Sequence, residues 1–187
     1  MGPDRTAELE TALEHCRRGD NSAFAAIVQA HQAMVFSIGW HYLQDRSLAE
    51  DMAQEVFLEL YQRLNQIESA AHLTNWLRRV TVHRCIDQGR RRKVRPETPL
   101  EDQPEPTAST HNRDHFALGL LARGLAKLDE KQRMIVILRY QEELGPAEIA
   151  ELTNMPVNTV KSTLHRSLAE LRKKLTRSLG EVRYAIF

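Results

Sequence analysis

The sequence predicts an all-α protein, two small helical modules joined by an extended linker. Three observations carry that prediction. Large apolar residues recur three and four positions apart at both ends of the chain, and nowhere do they alternate as a half-buried strand requires. Pro96, Pro99, Pro104 and Pro106 fall within eleven residues, among Glu, Thr, Ser and Gln, a stretch that cannot be helical and reads as an acidic tether. The length of 187 residues, 42% of them hydrophobic, suffices for one ordinary core or two small ones. The modules read as residues 10–95 and 115–178, with the linker at 96–114.

In the first module Asp20 and Asn21 can cap a helix whose Phe24, Ile27, Val28, His31, Val35 and Ile38 share one face. Asp45 or Ser47 opens the next helix, with Met52, Val56, Leu60 and Leu64 at steps of four. After a turn near Ser69–Thr74, a third helix starts at Trp76, Leu77 and Val80 and is expected to fray or end near Gly89, which costs about 1 kcal/mol relative to Ala. The second module opens with Phe116, Leu120, Leu121 and Leu125, followed by a helix carrying Ile135, Val136, Leu138 and Tyr140. Residues 146–152, a turn at Asn154–Val157 and a long helix from Asn158 have the form of a helix-turn-helix, spanning about 146–166. Asn154 can take the left-handed conformation that such a turn needs.

The net charge of +1 hides an uneven distribution. Residues 76–95 hold 8 Lys/Arg against 1 Asp/Glu and residues 157–187 hold 7 against 2, whereas residues 1–75 hold 5 against 11. Dense basic blocks on an otherwise acidic chain are the footprint of phosphate contact, although a solvated helix face also carries Lys and Arg. In the last helix Val160, Leu164, Leu168, Leu171 and Leu175 are expected to face the core. The opposite side carries Asn158, Ser162, His165, Arg166 and Lys173, flanked by Thr159 and Lys161. Asn and Arg read adenine and guanine edges, Lys, Ser and Thr bind phosphate, and recognition helices use their N-terminal residues, here Asn158 to Arg166. The second helix of the first module sets Asp51, Gln54, Glu55, Leu58 and Gln62 in one outward line, an acidic stripe with an exposed leucine suited to a basic, partly apolar helical partner.

Other classes find little support. Apolar runs are short, Met134–Leu138 for example, against about 20 residues for a membrane span, so no membrane insertion is expected. The N-terminus has no apolar signal region, and two cysteines make no disulfide framework, which fits a reducing cytoplasm. There is no glycine-rich phosphate loop and no nucleophile motif, so neither an enzyme nor a cofactor is expected. His15-Cys16 and His83-x-Cys85 are each half of a metal site without a second matching pair.

The wording of the sequence then adds a resemblance. Asp51-Met-Ala-Gln-Glu-Val-Phe57 resembles the D-x-x-Q-E-x-F core-polymerase motif of bacterial sigma factors, and Arg18–Phe24 resembles the start of that family's first helix. Trp76-Leu-Arg-Arg-Val80 and Ile86-Asp87 with Arg90–Arg92 resemble its promoter-melting and −10-reading segment. Glu148-Ile-Ala-Glu, Met155–Ser162, His165-Arg166 and Leu171-Arg172 resemble its −35-reading helix-turn-helix. Two modules without further domains resemble the extracytoplasmic-function group of the sigma-70 family.

That resemblance implies a subunit that binds core RNA polymerase and directs it to promoter DNA. Asp51, Gln54 and Glu55, with Leu58 beside them, would dock on the clamp helices of the largest catalytic subunit. His72, Thr74 and Asn75, taken as loop residues, and Trp76 would capture unstacked −10 bases, with Arg79, Arg90, Arg91 and Arg92 on the backbone. Asn158, Thr159, Lys161, Ser162, His165 and Arg166 would read the −35 duplex. An anti-sigma protein is the implied regulator. The nineteen linker residues reach about 60–65 Å when extended, nearly two turns of duplex. The chain departs from the family at His83 and Arg84, in place of Asn and an aliphatic residue, at Gly89, at Asn158, where Gly is common, and at Thr163, where Arg is common and would offer a phosphate contact. A stand-alone helix-turn-helix regulator is the competing reading; it explains only the second module and calls for firm binding to free duplex.

Overall fold

A computed structural model describes the backbone of residues 3–94 and 113–185 and the side chains of 6–92, 119 and 121–176. The proposed linker falls outside these residues up to 112, and the following helix is already under way at Arg113. All regular structure among the described residues is helical. The chain divides into two compact units, Met1–Gln88 and Gly89–Phe187, the boundary falling within the last turns of the helix Ala70–Val94.

The first unit is built from α1 (Pro3–Arg17), α2 (Asn21–Leu43), α3 (Arg46–Gln62), a 3-10 turn (Leu64–Gln66) and α4 (Ala70–Val94). Helix α1 was not anticipated, although Leu9, Ala12 and Leu13 carry its buried face at helical spacing. Asp20 caps α2 by accepting the Ser22 amide at 2.9 Å, and Asp45 caps α3 by accepting that of Leu48 at 3.0 Å. Leu13, Ile27, Val35, Ile38, Val56, Leu60, Ile67, Leu73 and Leu77 form the core, with α2 packed between α1 and α3.

Helix α4 corrects two expectations. It begins at Ala70, not after Thr74, because the Ser69 hydroxyl accepts the His72 amide at 3.2 Å and the Ser69 carbonyl accepts that of Leu73 at 2.8 Å. It also runs through a buried Gly89 to Val94, the cost of one glycine being small beside a helix of 25 residues. Helix α2 is more apolar on average than its short runs of large residues suggest. Its 23 residues reach a mean hydropathy of 1.2 over 18 positions, long and apolar enough to cross a membrane by length and composition. Alanines break up its runs of large residues but keep the average high. Its Ile27, His31, Val35, Ile38 and Tyr42 are buried in the core of this unit.

The second unit comprises α5 (Arg113–Ala126), α6 (Glu130–Tyr140), α7 (Pro146–Thr153) and α8 (Val157–Ala185), with α8 packed on the other three. Asp129 and Gln132 cap α6 reciprocally, at 2.8 and 3.1 Å. Arg133 donates to the carbonyls of Leu125, Ala126 and Leu128 and so closes the C-terminal end of α5. Pro146 opens α7, where the Gly145 amide donates to Glu148 at 2.7 Å. Asn154, at φ 53°, ends it in the left-handed conformation that the turn requires.

The inner face of α8 is narrower than the leucine spacing suggests. Val160, Thr163, Ser167 and Leu171 are buried, Leu164 and Leu175 are half-buried, and Leu168 is 37% exposed. At 100° per residue Leu168 lies about 80° from Val160, on the rim of the contact. The Ser167 hydroxyl donates to the Thr163 carbonyl at 2.7 Å, which lets a polar residue occupy the buried line. Thr163 therefore faces inward and does not mark a lost phosphate contact. Leu121 and Tyr140 are also exposed rather than core.

Two predictions follow from the backbone and from burial. Asn154→Gly keeps the turn and leaves stability unchanged or slightly higher, whereas Asn154→Ala costs about 1 kcal/mol, read from urea unfolding of the full chain. His41 is half-buried with a partnerless Nδ1, and desolvation lowers its pKa below the ordinary 6.5. The unfolded chain then takes up this proton first, so the contribution of His41 is intact above about pH 6.5 and is lost as pH falls through that value. His41→Gln should accordingly lose less stability than the wild type between about pH 7.5 and 5.5.

Candidate functional site

Three surfaces carry the side chains singled out from the sequence. On α3, Met52, Val56, Phe57 and Leu60 turn inward, while Asp51, Gln54, Glu55, Leu58 and Gln62 are exposed, Leu58 to 59%. Arg84 of α4 reaches across to this face. It forms an ion pair with Glu55 and donates to Glu59 at 2.7 Å, and Arg63 stands 3.3 Å from the other Glu59 oxygen. The hydrogen bond to Glu59 above all, then both carboxylate charges, raise the Arg84 pKa against the opposing effect of burial. Glu55, Leu58, Glu59, Gln62, Arg63 and Arg84 line a shallow open cleft. An exposed leucine among carboxylates and amides is a surface suited to an amphipathic, basic helix.

The second surface runs along α4. His72, Asn75, Trp76, Arg79, His83 and Arg90 fall within one stripe about 27 Å long, at 1.5 Å per residue. Asn75, Arg79, His83, Arg90, Arg91 and Arg92 are exposed, and His72 and Trp76 are half-buried. Thr74 stands apart from this stripe. It faces α2, where its hydroxyl lies 3.2 Å from Nε2 of buried His31 and donates to the Ala70 carbonyl at 3.1 Å. His72, Thr74 and Asn75 are thus not loop residues but the first turns of a helix.

The connecting loop lies earlier, at 63–69, with Leu64 and Ile67 buried and Arg63, Asn65, Gln66 and Glu68 exposed. Asn65 and Gln66, exposed in this loop with hydrogen-bond donors and acceptors, are not among the residues singled out from the sequence. His83 was missed as part of the stripe, and its helical spacing from Arg79 and Arg90 was the available signal. Cys85 is fully buried, and burial pushes its thiol up to about 12, leaving it protonated and unreactive at neutral pH. His83 is exposed on another side of α4, so the two do not form half of a metal site.

The third surface is the start of α8. Asn158, Thr159, Lys161, Ser162, His165 and Arg166 are all exposed and together surround its outward side. Two of them are tied back to the helix itself: Ser162 donates to the Thr159 carbonyl at 3.1 Å, and Arg166 to the Ser162 carbonyl at 3.3 Å. Preceded by α7 and its tight turn, this is the geometry of a recognition helix that enters a major groove.

Comparison with known proteins identifies the family. Residues 27–95 match sigma-70 region 2, and residues 118–171 match sigma-70 region 4. The chain is 30% identical over 182 residues to the ECF RNA polymerase sigma factor SigW of Bacillus subtilis, covering 89% of this chain and 96% of that one. It is 33% identical over 157 residues to the RNA polymerase sigma-E factor of Streptomyces coelicolor, covering 84% and 88%. Among solved structures the fold is similar to the sigma factor RpoE of Bartonella quintana, in complex with the anti-sigma factor NepR, with a TM-score of 0.67 at 18% identity over 82% of this chain and 96% of that one. It is also similar to CnrH in complex with the cytosolic domain of CnrY, with a TM-score of 0.65 at 18% identity over 91% and 98%. An exposed acidic-apolar helix face, a basic helical stripe and a helix-turn-helix, in the order of regions 2 and 4, accompany relatives that align along nearly their whole length: the chain belongs to the extracytoplasmic-function group of the sigma-70 family, the factors that direct RNA polymerase in transcription initiation.

Proposed function

We propose that the three surfaces divide the work of initiation. The outer face of α3, with Asp51, Gln54, Glu55 and Leu58, docks on the clamp helices of the largest subunit of core polymerase. The loop 63–69, with Asn65 and Gln66, and the α4 stripe of His72, Asn75, Trp76 and Arg79 receive melted −10 bases, while Arg90, Arg91 and Arg92 follow the phosphates. Asn158, Thr159, Lys161, Ser162, His165 and Arg166 read the −35 duplex. In domain terms, residues 10–95 serve core binding and the −10 element, 96–114 tether, and 115–178 serve the −35 element.

The observation that carries this reading is the exposure of Leu58 to 59% in a row of acidic and amide side chains, on a helix whose opposite face is fully committed to the core. Leu58 gives this row of carboxylates and amides an apolar anchor, the combination that an amphipathic helical partner engages. Opening DNA requires unstacked bases to be held beside polar and aromatic groups next to a cationic track, which describes the loop and the α4 stripe together. The protein contributes specificity and strand capture in the cytoplasm, and the polymerase performs the chemistry. Membership of the family supports an anti-sigma protein as a further partner, one that covers these same faces.

Run-off transcription with bacterial core polymerase on promoter fragments from the same genome tests the reading. New transcripts are expected with the wild type and none with Asp51→Ala/Glu55→Ala, which should remain folded but no longer co-elute with core. Firm specific binding to free duplex without co-elution with core would refute it. At the −35 element, Asn158→Ala or Arg166→Ala should cost about 1–3 kcal/mol and relax selectivity at one base pair. Lys161→Ala should weaken binding to all sequences alike and lower the salt slope by about 1, as measured by holoenzyme titrations at several salt concentrations.

A further inference from the structure

The loop at 63–69 is fastened from outside region 2. Its inward residues, Leu64, Ile67 and Ala70, are 7%, 1% and 0% exposed, so its apolar side chains hold its base in the core. Its backbone is held by two side chains of α1. The Arg17 guanidinium donates through Nη2 to the Ile67 carbonyl. The Glu10 carboxylate accepts the Ala70 amide at 2.7 Å. These contacts lie three residues apart in the loop and join it to a helix 50 and 60 positions earlier in the chain. Ala70 is the first residue of α4, and its amide is one of the donors that a helix start leaves without an intrahelical partner. A carboxylate there also complements the positive end of the helix dipole.

Between the two anchors the chain has little freedom. Ser69 is occupied as the cap of α4, and the Glu68 amide donates to His72 Nδ1 at 3.2 Å. Asn65, Gln66 and Glu68 are thereby presented outward on a backbone fixed before any ligand arrives. Pre-organisation of this kind spares a binding loop the loss of freedom on binding, and it fixes which base edge each amide meets.

We propose that α1 is a positioning element of the −10 reader, with Glu10 and Arg17 as the residues that hold the base-capture loop in its reading conformation. The proposal rests on the assignment of loop 63–69 to melted −10 DNA. Neither residue touches the DNA; each acts through the loop backbone.

The test uses the full chain assembled with core polymerase. Three quantities are measured for Glu10→Ala and Arg17→Ala: affinity for core, selectivity among promoters altered singly at −35 or at −10 positions, and permanganate reactivity of unpaired thymines. The expected result is a loss of about tenfold in open complexes and in −10 selectivity, the effect of removing a hydrogen bond to a charged group, with core affinity and −35 selectivity unchanged. Glu10→Gln and Arg17→Lys, which retain an acceptor and a donor, should recover most of the loss. Should Glu10→Ala fail to fold, Arg17→Met removes one donor at the exposed end of α1 and carries the test alone.

Asn65→Ala and Gln66→Ala separate the two ways of being wrong. If they alter −10 selectivity and the α1 variants do not, the bracing role is refuted while the loop assignment stands. If they leave −10 selectivity unchanged, the loop assignment falls and the proposal with it. Equal losses at −35, at −10 and in core affinity would mean general damage to the unit and would also overturn it.

Discussion

A chain made of helices must satisfy the amide groups at every helix start, and in this protein that requirement decides where the functional surfaces lie. Four amides at each N-terminus lack an intrahelical partner. Asp20, Asp45, Ser69, Asp129 and Glu148 each supply a side-chain oxygen to one of these starts, and Glu10 supplies a second to α4. The caps on α3 and α4 fix the phase of both helices, and phase determines which residues face outward. Moving the start of α4 from Thr74 back to Ala70 places His72, Asn75 and Arg79 on one helical stripe, and it turns Thr74 toward His31. The cap comes first, and the surface follows from it.

The charge on α4 is less free than a count along the sequence implies. Arg84 belongs to the basic segment by position, yet Glu55 and Glu59 of α3 hold it. The ion pairs link α3 to α4 through side chains that are partly exposed, where solvent screening keeps their contribution to stability small. Their effect is therefore on geometry. They hold Glu55 at the cleft and draw one cation of the basic segment toward α3.

Much of this was legible in the residues. Helical spacing gave the all-α class, Asp20 and Asp45 gave two helix starts, and Asn154 gave the turn before α8. The outward rows on α3 and at the start of α8 followed from periodicity alone. What escaped depended on contacts distant in sequence. Nothing local to Glu10 or Arg17 indicates that they reach Ala70 and Ile67, so α1 and its relation to the loop were invisible. Leu168 was misplaced because five leucine and valine positions at steps of three and four span too wide an arc for the surface that α8 buries. Ser167 and Thr163 occupy the middle of that arc, and residue type alone would have put them in water.

Helix α8 keeps its buried line and its outward residues on separate sides. Its buried line of Val160, Thr163, Ser167 and Leu171 meets the six outward residues only through Arg166, which donates to the Thr163 hydroxyl at 3.4 Å. Exchanging any outward residue except Arg166 therefore leaves the core of the unit untouched, in the regime where surface substitutions change stability by less than about 0.5 kcal/mol. On the proposed −35 role of these residues, promoter preference and foldability are inherited almost independently. A duplicated copy of such a gene can then drift toward new promoters through single substitutions without passing through unstable intermediates, and a family of parallel regulons can diversify from one scaffold.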